Sequence, residues 1–365
     1  MNVCIIGDGL TGLSLAKNLI NKKINVHIYH EKKIKNTSSN RTIGISKNNL
    51  EFFNTKVLKI PKKNIWEIKK IEIFSEKLKE KKIFNFENKK NYLFCMIKND
   101  HLYKLLNSKL LKSKLFKKII IKKNNFYEKL LKEKKYDLII NSDPNNFFVK
   151  KFFSKRINKD YYNLAYTTIL EHKKLDNHTA IQVFTKYGPI AYLPISASKT
   201  SVVCSLDIKT HKYNNNEILE LIKKHNSKFT IKKINKLTSF ELTSSILRNY
   251  YYKNILAFGE SLHKIHPLAG QGFNMIIRDI KILSKIIEDK IDLGIQIDQL
   301  VFEEFEKKAK HTNFIFFNGV DFIYELFNVD KNIQNNKLSK ILKIIGNNKD
   351  LTKAFIKLAD KGLNI

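Results

Sequence analysis

The sequence predicts an α/β fold: a domain built on a parallel sheet, an antiparallel sheet inserted into that domain, and a helical C-terminal region. Three observations predict this class. A short apolar strand, a glycine-rich turn and a helix open the chain. Residues 71–90 and 165–242 alternate apolar and polar side chains, as half-buried antiparallel strands do. After Gly272, and again from Phe302, apolar residues recur every three to four positions, which indicates helices.

The start of the chain has the pattern of a strand, a helix and a second strand. Residues 3–6 are a continuous apolar run, typical of a strand that is buried on both faces. We expect a helix over residues 11–22 and a second strand over residues 24–29. Between the first strand and the helix lies GDGLTG, with the G-x-G-x-x-G spacing that brings a helix N-terminus to a dinucleotide pyrophosphate. The predicted contacts in this turn are Gly7, Gly9, Leu10, Thr11 and Gly12.

In turns of this kind an acidic residue at the end of the second strand binds the ribose hydroxyls. That position is His30 here, and Glu31 follows it. Either Glu31 reaches the ribose through a one-residue shift, or His30 donates a hydrogen bond itself. The third interpretation is that Glu31 is an ordinary surface charge.

Residues 259–274, GESLHKIHPLAGQGFN, concentrate residue types that are rare in this chain. The chain has only 12 Gly and 5 Pro, and this segment contains Gly259, Gly270, Gly272 and Pro267. The helix expected after Gly272 would direct the positive end of its macrodipole, and its free N–H groups, at whatever lies in front of it. The segment therefore predicts a site that favours an anion or a developing negative charge.

The formal net charge of +34 is spread along the whole chain. The 68 basic residues include only four arginines, Arg41, Arg156, Arg248 and Arg278, which leaves lysine at the other 64 positions. Proteins that bind nucleic acid favour the arginine fork and cluster their charge on one face. We therefore expect no nucleic-acid partner and attribute the charge to a compositional bias, with attraction to an anionic membrane surface as the alternative.

The sequence further predicts a cytoplasmic protein with reduced thiols. No apolar run approaches the roughly 20 residues that span a bilayer, and no leader pattern precedes the first strand. Cys4, Cys95 and Cys204 are far apart and lie in apolar runs. We expect buried, unpaired thiols at these positions.

Taken together, GDGLTG and residues 259–274 resemble the para-hydroxybenzoate hydroxylase type of FAD-dependent aromatic monooxygenase. The stretch HPLAGQGFN, followed by Arg278 and Asp279, is similar more narrowly to the ubiquinone-biosynthesis hydroxylases, such as 2-octaprenyl-6-methoxyphenol hydroxylase. Three further stretches agree in order: NRTIGIS (40–46), YDLIINSD (136–143) and FTKYGPIAYLPIS (184–196). The resemblance covers nearly the whole chain and is least specific over its last part.

The resemblance implies a Rossmann-like FAD-binding domain in three parts, residues 1–70, 92–164 and 249–300. An inserted antiparallel substrate domain would comprise residues 71–91 and 165–248. The C-terminal helices would occupy residues 301–365.

The resemblance also implies which residues hold FAD. The glycine turn would hold the pyrophosphate, and Arg41 would lie along the cofactor. Glu260, beside Gly259, would contact the ribityl chain. The edge of the flavin ring would be surrounded by Pro267, Gly270, Gln271, Gly272, Phe273 and Asn274.

Two residues in the environment of the ring are the catalytic candidates, His266 and Pro267. A structural histidine is the alternative interpretation of His266. We expect Arg278 to anchor its helix to the sheet and His263 to be structural.

The implied activity is ring hydroxylation of a polyprenylated phenol on the way to ubiquinone. In such enzymes NAD(P)H reduces FAD, and a flavin C4a-hydroperoxide delivers one oxygen atom to the ring. A second hypothesis is a prenyl-chain flavin oxidoreductase without oxygen insertion. A third is a non-catalytic flavoprotein scaffold of the biosynthetic complex. Three departures from the family pattern motivate it: His30, Glu260 in place of Asp or Asn, and Pro144 in place of glycine after Asp143.

The same resemblance implies the partners. These are a polyprenyl phenol or quinone precursor and other proteins of ubiquinone biosynthesis. The basic helical pattern from Phe302 onward offers two interpretations, packing on the body of the protein or peripheral contact with the inner face of the cytoplasmic membrane.

Overall fold

The computed structural model describes residues 1–31, 41–78, 81–88, 91–122, 125–133, 135–209, 211–265 and 270–332. The catalytic candidates His266 and Pro267 lie outside the described residues, as does the predicted C-terminal region beyond residue 332. Within the described residues the chain forms eighteen strands and eight α-helices.

The strands are β1 (Asn2–Ile6), β2 (Asn25–His30), β3 (Thr42–Ser46), β4 (Ile65–Ile68), β5 (Lys70–Ser75), β6 (Lys81–Glu87), β7 (Phe94–Lys98), β8 (Phe116–Ile120), β9 (Leu138–Asn141), β10 (Arg156–His172), β11 (Thr179–Thr185), β12 (Gly188–Ser196), β13 (Lys199–Asp207), β14 (Ile231–Ile234), β15 (Thr238–Leu247), β16 (Tyr251–Tyr252), β17 (Ile255–Ala257) and β18 (His263–Lys264). The helices are α1 (Leu10–Asn21), α2 (Lys47–Phe52), α3 (Asn99–Leu110), α4 (Phe126–Lys132), α5 (Phe147–Phe152), α6 (Asn215–Lys224), α7 (Gly272–Asp292) and α8 (Leu300–Asn332).

β1 is near the centre of a six-stranded sheet with the order β16-β17-β9-β1-β2-β8. It pairs in parallel with β2 and β9, and β17 and β8 extend the parallel part on either side. The four residues that follow Asn2 in β1 are all buried, as the apolar run predicts for a parallel strand covered on both faces. Because the strands are parallel, the segments that follow β1, β2, β9 and β17 all emerge at one edge.

The contact between β1 and α1 depends on glycine. A Cβ on Gly12 would overlap the carbonyl oxygen of Gly7, so only hydrogen at this position allows the helix its observed approach. Leu13, Ala16 and Leu19 of α1 are then fully buried in the main core. The glycine spacing is therefore a packing requirement as well as a binding motif.

The second sheet has nine strands in the order β18-β15-β10-β13-β12-β11-β5-β6, with β14 pairing with β10. The long strand β10 pairs with β13, β14 and β15, all antiparallel. One pair, β5 with β11, is parallel. The predicted fold class, α/β with a parallel-sheet domain, an inserted and mainly antiparallel sheet and C-terminal helix, is confirmed.

The strand pattern expected over residues 165–242 is wrong at α6, which packs on the antiparallel sheet. The side chain of Asn214 accepts a hydrogen bond from the N–H of Glu217, and the Glu217 carboxylate accepts one from the N–H of Asn214. This capping box starts a helix whose Ile218 and Ile222, four residues apart, are fully buried. Residues 215–224 therefore form a helix, although the segments on either side of them have the alternating pattern of strands.

A small third sheet, β3-β7-β4, connects the two large ones, and the sequence did not indicate it as a separate unit. Thr42 at the start of β3 donates through Oγ1 to Ser201 Oγ of β13 at 3.0 Å. Trp66 of β4 donates to the carbonyl oxygen of Asn177 at 2.6 Å. These two hydrogen bonds join β3 and β4 of the third sheet to the antiparallel sheet and to its connection between β10 and β11.

The two long helices complete the core. Ile277, Ile280, Leu283 and Ile287 of α7 are fully buried, and the first turns of α8 join the same cluster. Further along α8, Phe317 packs with residues of the antiparallel sheet. No helix within the described residues combines the length and the apolar content that a membrane crossing requires.

The three cysteines are buried and unpaired, as predicted. Burial raises the pKa of the Cys204 thiol to about 12. Burial, with a contribution from Glu67, likewise raises the pKa of Cys95 to about 12. These thiols stay protonated and behave as small core side chains.

We expect Gly12→Ala to destabilise the protein by about 2 kcal/mol or more, because the added methyl group must displace either β1 or α1. Urea unfolding followed by circular dichroism measures the change. Gly319→Ala in α8 is the matched control: no neighbouring atom of the described residues lies within 4 Å of a Cβ at that position, and the substitution should stabilise by about 0.5–1 kcal/mol through helix propensity. Equal stability of the two variants would contradict the packing role of Gly12.

Candidate functional site

The candidate site lies at the carboxyl edge of the parallel sheet. The turn after β1, the segment after β9 and the turn after β17 meet there. Open parallel sheets bind ligands at this edge, because helix N-termini and flexible loops converge on it. The predicted FAD contacts within the described residues come from the turns after β1 and β17, the end of β2, Arg41 before β3, and the N-terminus of α7.

The three glycines of the first turn have different functions. Gly7 has a φ of +107°, donates its N–H to the Tyr29 carbonyl oxygen at 2.8 Å, and would bring a Cβ to 2.7 Å from Ser142 Oγ, so it is required by backbone conformation and packing. Gly12 is required by the approach of α1 to β1. Gly9 has an ordinary φ of −71°, and no neighbouring atom of the described residues lies within 4 Å of a Cβ placed there. Gly9 therefore borders open space.

The N-terminus of α1 is available to an anion. Gly9 is its N-cap, no described side chain caps it, and its first turn holds no acidic residue. The first N–H groups of a helix, here those of Leu10, Thr11 and Gly12, have no intrahelical acceptor. Thr11 is buried against Gly259, where φ is +64° and a Cβ would overlap the Thr11 methyl group. This contact fixes the turn after β17 beside the helix N-terminus.

Arg41 and Glu260, assigned separately to the cofactor, lie together. The Arg41 Nη2 and Glu260 Oε1 atoms are 3.7 Å apart, and 61% and 50% of the two side chains are exposed. Such an exposed pair contributes little stability. It leaves both groups free to turn toward a ligand between them.

His30 and Glu31, the alternatives for the ribose contact, point to different neighbours. His30 Nδ1 lies 3.7 Å from Asp8 Oδ2, within the glycine turn. Glu31 accepts a hydrogen bond from the buried Tyr127 hydroxyl at 3.4 Å. Lys118 of β8 pairs with Asp8 at 2.8 Å. Sequence reasoning missed Asp8 and Lys118, because the contact requires the pairing of β2 with β8.

The N-terminus of α7 is also uncapped within the described part of the chain. Gly270, with a φ of +63°, precedes Gln271, the N-cap residue, whose side chain makes no capping hydrogen bond. The Gln271 Oε1 atom is buried without a hydrogen-bond partner among the described residues. No neighbouring atom of those residues lies within 4 Å of a Cβ built on Gly272. Phe273, in contrast, is buried near Phe53, with ring centroids 6.3 Å apart.

Asn274 is a buried structural clamp, which sequence reasoning did not predict. Its Oδ1 accepts from the N–H of Ser46 at 2.8 Å and from Asn49 Nδ2 at 3.0 Å. Its Nδ2 donates to the carbonyl oxygens of Gly44 at 3.0 Å and Gly270 at 3.4 Å. The Asn274 side chain is thus fully hydrogen-bonded within the protein. Only its backbone N–H, in the first turn of α7, remains for a ligand.

Two further residues near the segment are structural. His263 Nε2 hydrogen-bonds to Asp279 Oδ2 of α7 at 2.5 Å, and both side chains are buried. Asn313 of α8 donates to the other oxygen of Asp279 at 3.0 Å. The Arg278 guanidinium lies 4.5 Å from the centre of the Phe316 ring of α8, while the anchor that we expected toward the sheet stays a prediction. These contacts join α7 to β18 and to α8.

The described residues fit a bound dinucleotide. The site has an open space at Gly9, two uncapped helix N-termini and an amide oxygen at Gln271 that has no partner among the described residues. A continuous rim connects the two helix starts: Thr11 touches Gly259, Glu260 faces Arg41, and a Cβ on Gly270 would lie 3.7 Å from the Gly44 backbone. An extended ligand with a central pyrophosphate can follow this rim.

Comparisons with known proteins found one family model and several relatives. A family model described as squalene epoxidase matches residues 148–358, more than half of the chain. The ubiquinone biosynthesis monooxygenase COQ6 of Dictyostelium discoideum is 26% identical over 186 residues, 41% of this chain and 38% of that protein. The 3-demethoxyubiquinol 3-hydroxylase of Escherichia coli is 26% identical over 152 residues, 40% of this chain and 39% of that protein. The matched part of the chain thus spans about two fifths of the length of these relatives.

A solved structure has the same fold. The p-nitrophenol 4-monooxygenase PnpA of Pseudomonas putida superposes with a TM-score of 0.76, covering 100% of this chain and 98% of that one at 11% identity. At that identity the likeness concerns the fold alone. It extends over both sheets and the helices that connect them.

We expect Asn274→Ala to lower the free energy of unfolding by about 3 kcal/mol, because it removes the buried hydrogen bonds of the Asn274 side chain to the Ser46 N–H and the Gly44 carbonyl oxygen. Urea unfolding measures the loss. Asn318→Ala in α8 removes a single hydrogen bond of an exposed side chain and should change stability by less than about 0.5 kcal/mol. An equally small effect at Asn274 would refute the clamp.

Proposed function

This chain belongs to the squalene epoxidase family, and we propose that it is an FAD-dependent monooxygenase. Its proposed reaction is hydroxylation of the aromatic ring of a polyprenylated phenol in ubiquinone biosynthesis, with NAD(P)H and O₂ as co-substrates. The names of the COQ6 relative and of the demethoxyubiquinol hydroxylase support this substrate class. The observation that carries the proposal is the rim that joins two helix N-termini, at Gly9 and Gly272, neither of which a described side chain caps.

The geometry suits the two negatively charged parts of such a cofactor. At α1, the N–H groups of Leu10, Thr11 and Gly12 would bind the pyrophosphate, beside Gly7 and the open space at Gly9. At α7, the N–H groups of Gly272, Phe273 and Asn274 would stabilise the charge that develops on the reduced ring. When bound, FAD would supply the redox chemistry and the activation of oxygen.

The remaining assigned residues would border the cofactor between these ends. His30 and Glu31 would border its adenosine half, and Arg41, Gly259 and Glu260 would lie along its middle. Gly270 and Gln271, together with Pro267 and the catalytic candidate His266, would surround the ring. We also propose that the segments of the FAD-binding domain, the substrate domain and the C-terminal helices begin at residues 71, 92, 165, 249 and 301, as the family resemblance implies.

An apolar cluster supports an aromatic substrate with a prenyl chain. Gly44 faces the Phe94 ring and the Met96 sulfur, with the sulfur 3.5 Å from a Cβ placed on Gly44. Met96 belongs to a cluster with Ile68 and with Leu193 of the antiparallel sheet. This cluster is buried, and through Gly44 it adjoins Gly270 before the start of α7, so it would form an apolar, water-excluding support beneath a ring placed there.

The purified protein tests the proposal directly. We expect it to bind FAD, to oxidise NAD(P)H with a polyprenyl phenol present, and to give a product that contains one oxygen atom from ¹⁸O₂. Flavin reduction without labelled product would favour the prenyl-chain oxidoreductase instead. A folded protein that takes up no FAD would exclude both and favour a scaffold.

A substitution at Gly9 locates the cofactor in the same assay. Gly9→Val should fold with a stability loss of about 1 kcal/mol but bind FAD at least about 10-fold more weakly, because the side chain fills the open space that the pyrophosphate would enter. Gly319→Ala, remote in α8, should bind FAD as the wild type does. Unchanged FAD affinity in Gly9→Val would place the cofactor elsewhere.

We also propose peripheral contact with the inner face of the cytoplasmic membrane, where partner proteins of the pathway would meet the substrate. Phe314 and Phe322 of α8 expose 45% and 65% of their surface. Lys307 and Lys310, in the preceding turns of α8, line a groove with Arg248 and Phe314. Aromatic side chains among basic residues favour anionic lipid surfaces.

Co-sedimentation with vesicles tests this contact. We expect binding to vesicles with about 30% anionic lipid, on the order of 1 kcal/mol for each basic residue near the surface, and loss of binding at high salt. Phe314→Ser with Phe322→Ser should weaken binding several-fold, whereas Leu111→Ser, an exposed apolar residue remote in sequence, should not. Equal binding of both variants would contradict the assignment to α8.

A further inference from the structure

Asp8 is an acidic residue within the glycine turn, between Gly7 and Gly9. Its Oδ2 atom lies 2.8 Å from Lys118 Nζ and 3.7 Å from His30 Nδ1. The Tyr103 hydroxyl donates to the same oxygen at 3.2 Å. One oxygen of the carboxylate is therefore held by Lys118 and Tyr103, with His30 nearby.

The group is charged at neutral pH. Burial acts to raise the pKa of Asp8, but the hydrogen bond and the charge of Lys118 outweigh it and hold this pKa below its usual value. Burial acts to lower the pKa of Lys118, yet Asp8 and Tyr103 together raise it. The two charges compensate each other, so the carboxylate does not repel a nearby pyrophosphate as an isolated charge would.

The other oxygen, Oδ1, takes part in none of these contacts. Within the described residues the hydrogen bond and the ion pairs of Asp8 all involve Oδ2, and 29% of the Asp8 side chain is exposed. Asp8 precedes Gly9, which borders open space. A carboxylate oxygen that is fixed in orientation through its partner oxygen is well suited to accept from a hydroxyl group.

The two residues at the end of β2 are less suitable for a ribose contact. His30 carries no carboxylate, and its Nδ1 lies 3.1 Å from the Glu31 carbonyl oxygen and 3.7 Å from Asp8 Oδ2. Glu31 accepts a hydrogen bond from Tyr127 in α4, a different neighbour from those of the glycine turn. Asp8, in contrast, is a carboxylate within the glycine turn itself, beside His30 at the end of β2.

We propose that Asp8 binds the ribose of the adenosine half of FAD, with Oδ1 accepting a hydrogen bond from a ribose hydroxyl. Asp8 supplies, from within the glycine turn, the carboxylate that is missing at His30. Lys118 and Tyr103 are positioning residues that orient Asp8 through Oδ2. This inference rests on the proposed use of FAD and deepens it.

The test compares two ligands on the purified apo-protein. FAD and an FAD analogue without the two hydroxyls of the adenosine ribose are titrated, and flavin fluorescence reports binding. The wild-type chain should bind FAD about 10- to 100-fold more tightly than the analogue, the range expected for a hydrogen bond to a charged group. Asp8→Asn should lose this preference, binding both ligands with nearly equal affinity, and Asp8→Glu should restore part of it.

Glu128→Gln, which changes an exposed carboxylate of α4 outside the assigned site, is the matched control, and we expect it to keep the full preference for FAD. Loss of the preference in Glu31→Gln, with its retention in Asp8→Asn, would overturn the inference and assign the contact to Glu31. Both ligands are measured on the same variant. A general loss of stability in Asp8→Asn would therefore weaken the binding of both and would not change the preference for FAD over the analogue. Equal binding of both ligands by the wild type refutes the role of Asp8 alone, whereas failure to bind either one refutes the proposed function.

Discussion

The structure depends on the close approach of α1 to β1. Gly12 sits on the carbonyl oxygen of Gly7, and Gly7 in turn leaves room for Ser142 at the end of β9. With larger residues here, the helix would move away from the sheet and its N-terminus would no longer meet the ends of the strands. The same absence of side chains that permits packing exposes N–H groups at the sheet edge, so stability and binding have one origin.

The second helix start is held differently. α7 is positioned by Asn274, whose amide satisfies backbone groups of β3 and of the turn before the helix. Its other face is tied through Asp279 to His263 and to α8. A buried polar side chain with all its hydrogen bonds satisfied specifies one arrangement, because every displacement leaves an unpaired group. The rim between the two helix starts is therefore rigid at both ends, while the exposed Arg41 and Glu260 between them can adjust.

Much of this fold could be predicted because its signals are local. The glycine spacing, the apolar run of β1 and the helical period after Gly272 each depend on neighbours in sequence. The capping box of α6 was local too, but the alternating pattern around it concealed the signal. The clamp of Asn274 and the contact of Lys118 with Asp8 could not be predicted, since each joins residues that only the tertiary fold brings together. Local pattern thus indicated where the site lies, and tertiary pairing decided which side chains are available within it.

The three departures from the family pattern are accommodated by their neighbours. Pro144 follows Asp143, whose Oδ1 accepts from the N–H of Asn145 at 3.1 Å, so the turn makes its hydrogen bond one residue later and does not need an N–H at Pro144. The longer side chain of Glu260 extends to Arg41. At His30 the lost carboxylate has a nearby counterpart in Asp8, and Lys118 compensates the charge. Each departure is matched by a contact that keeps the sheet edge open, which argues for retained cofactor binding and against a scaffold that has lost it.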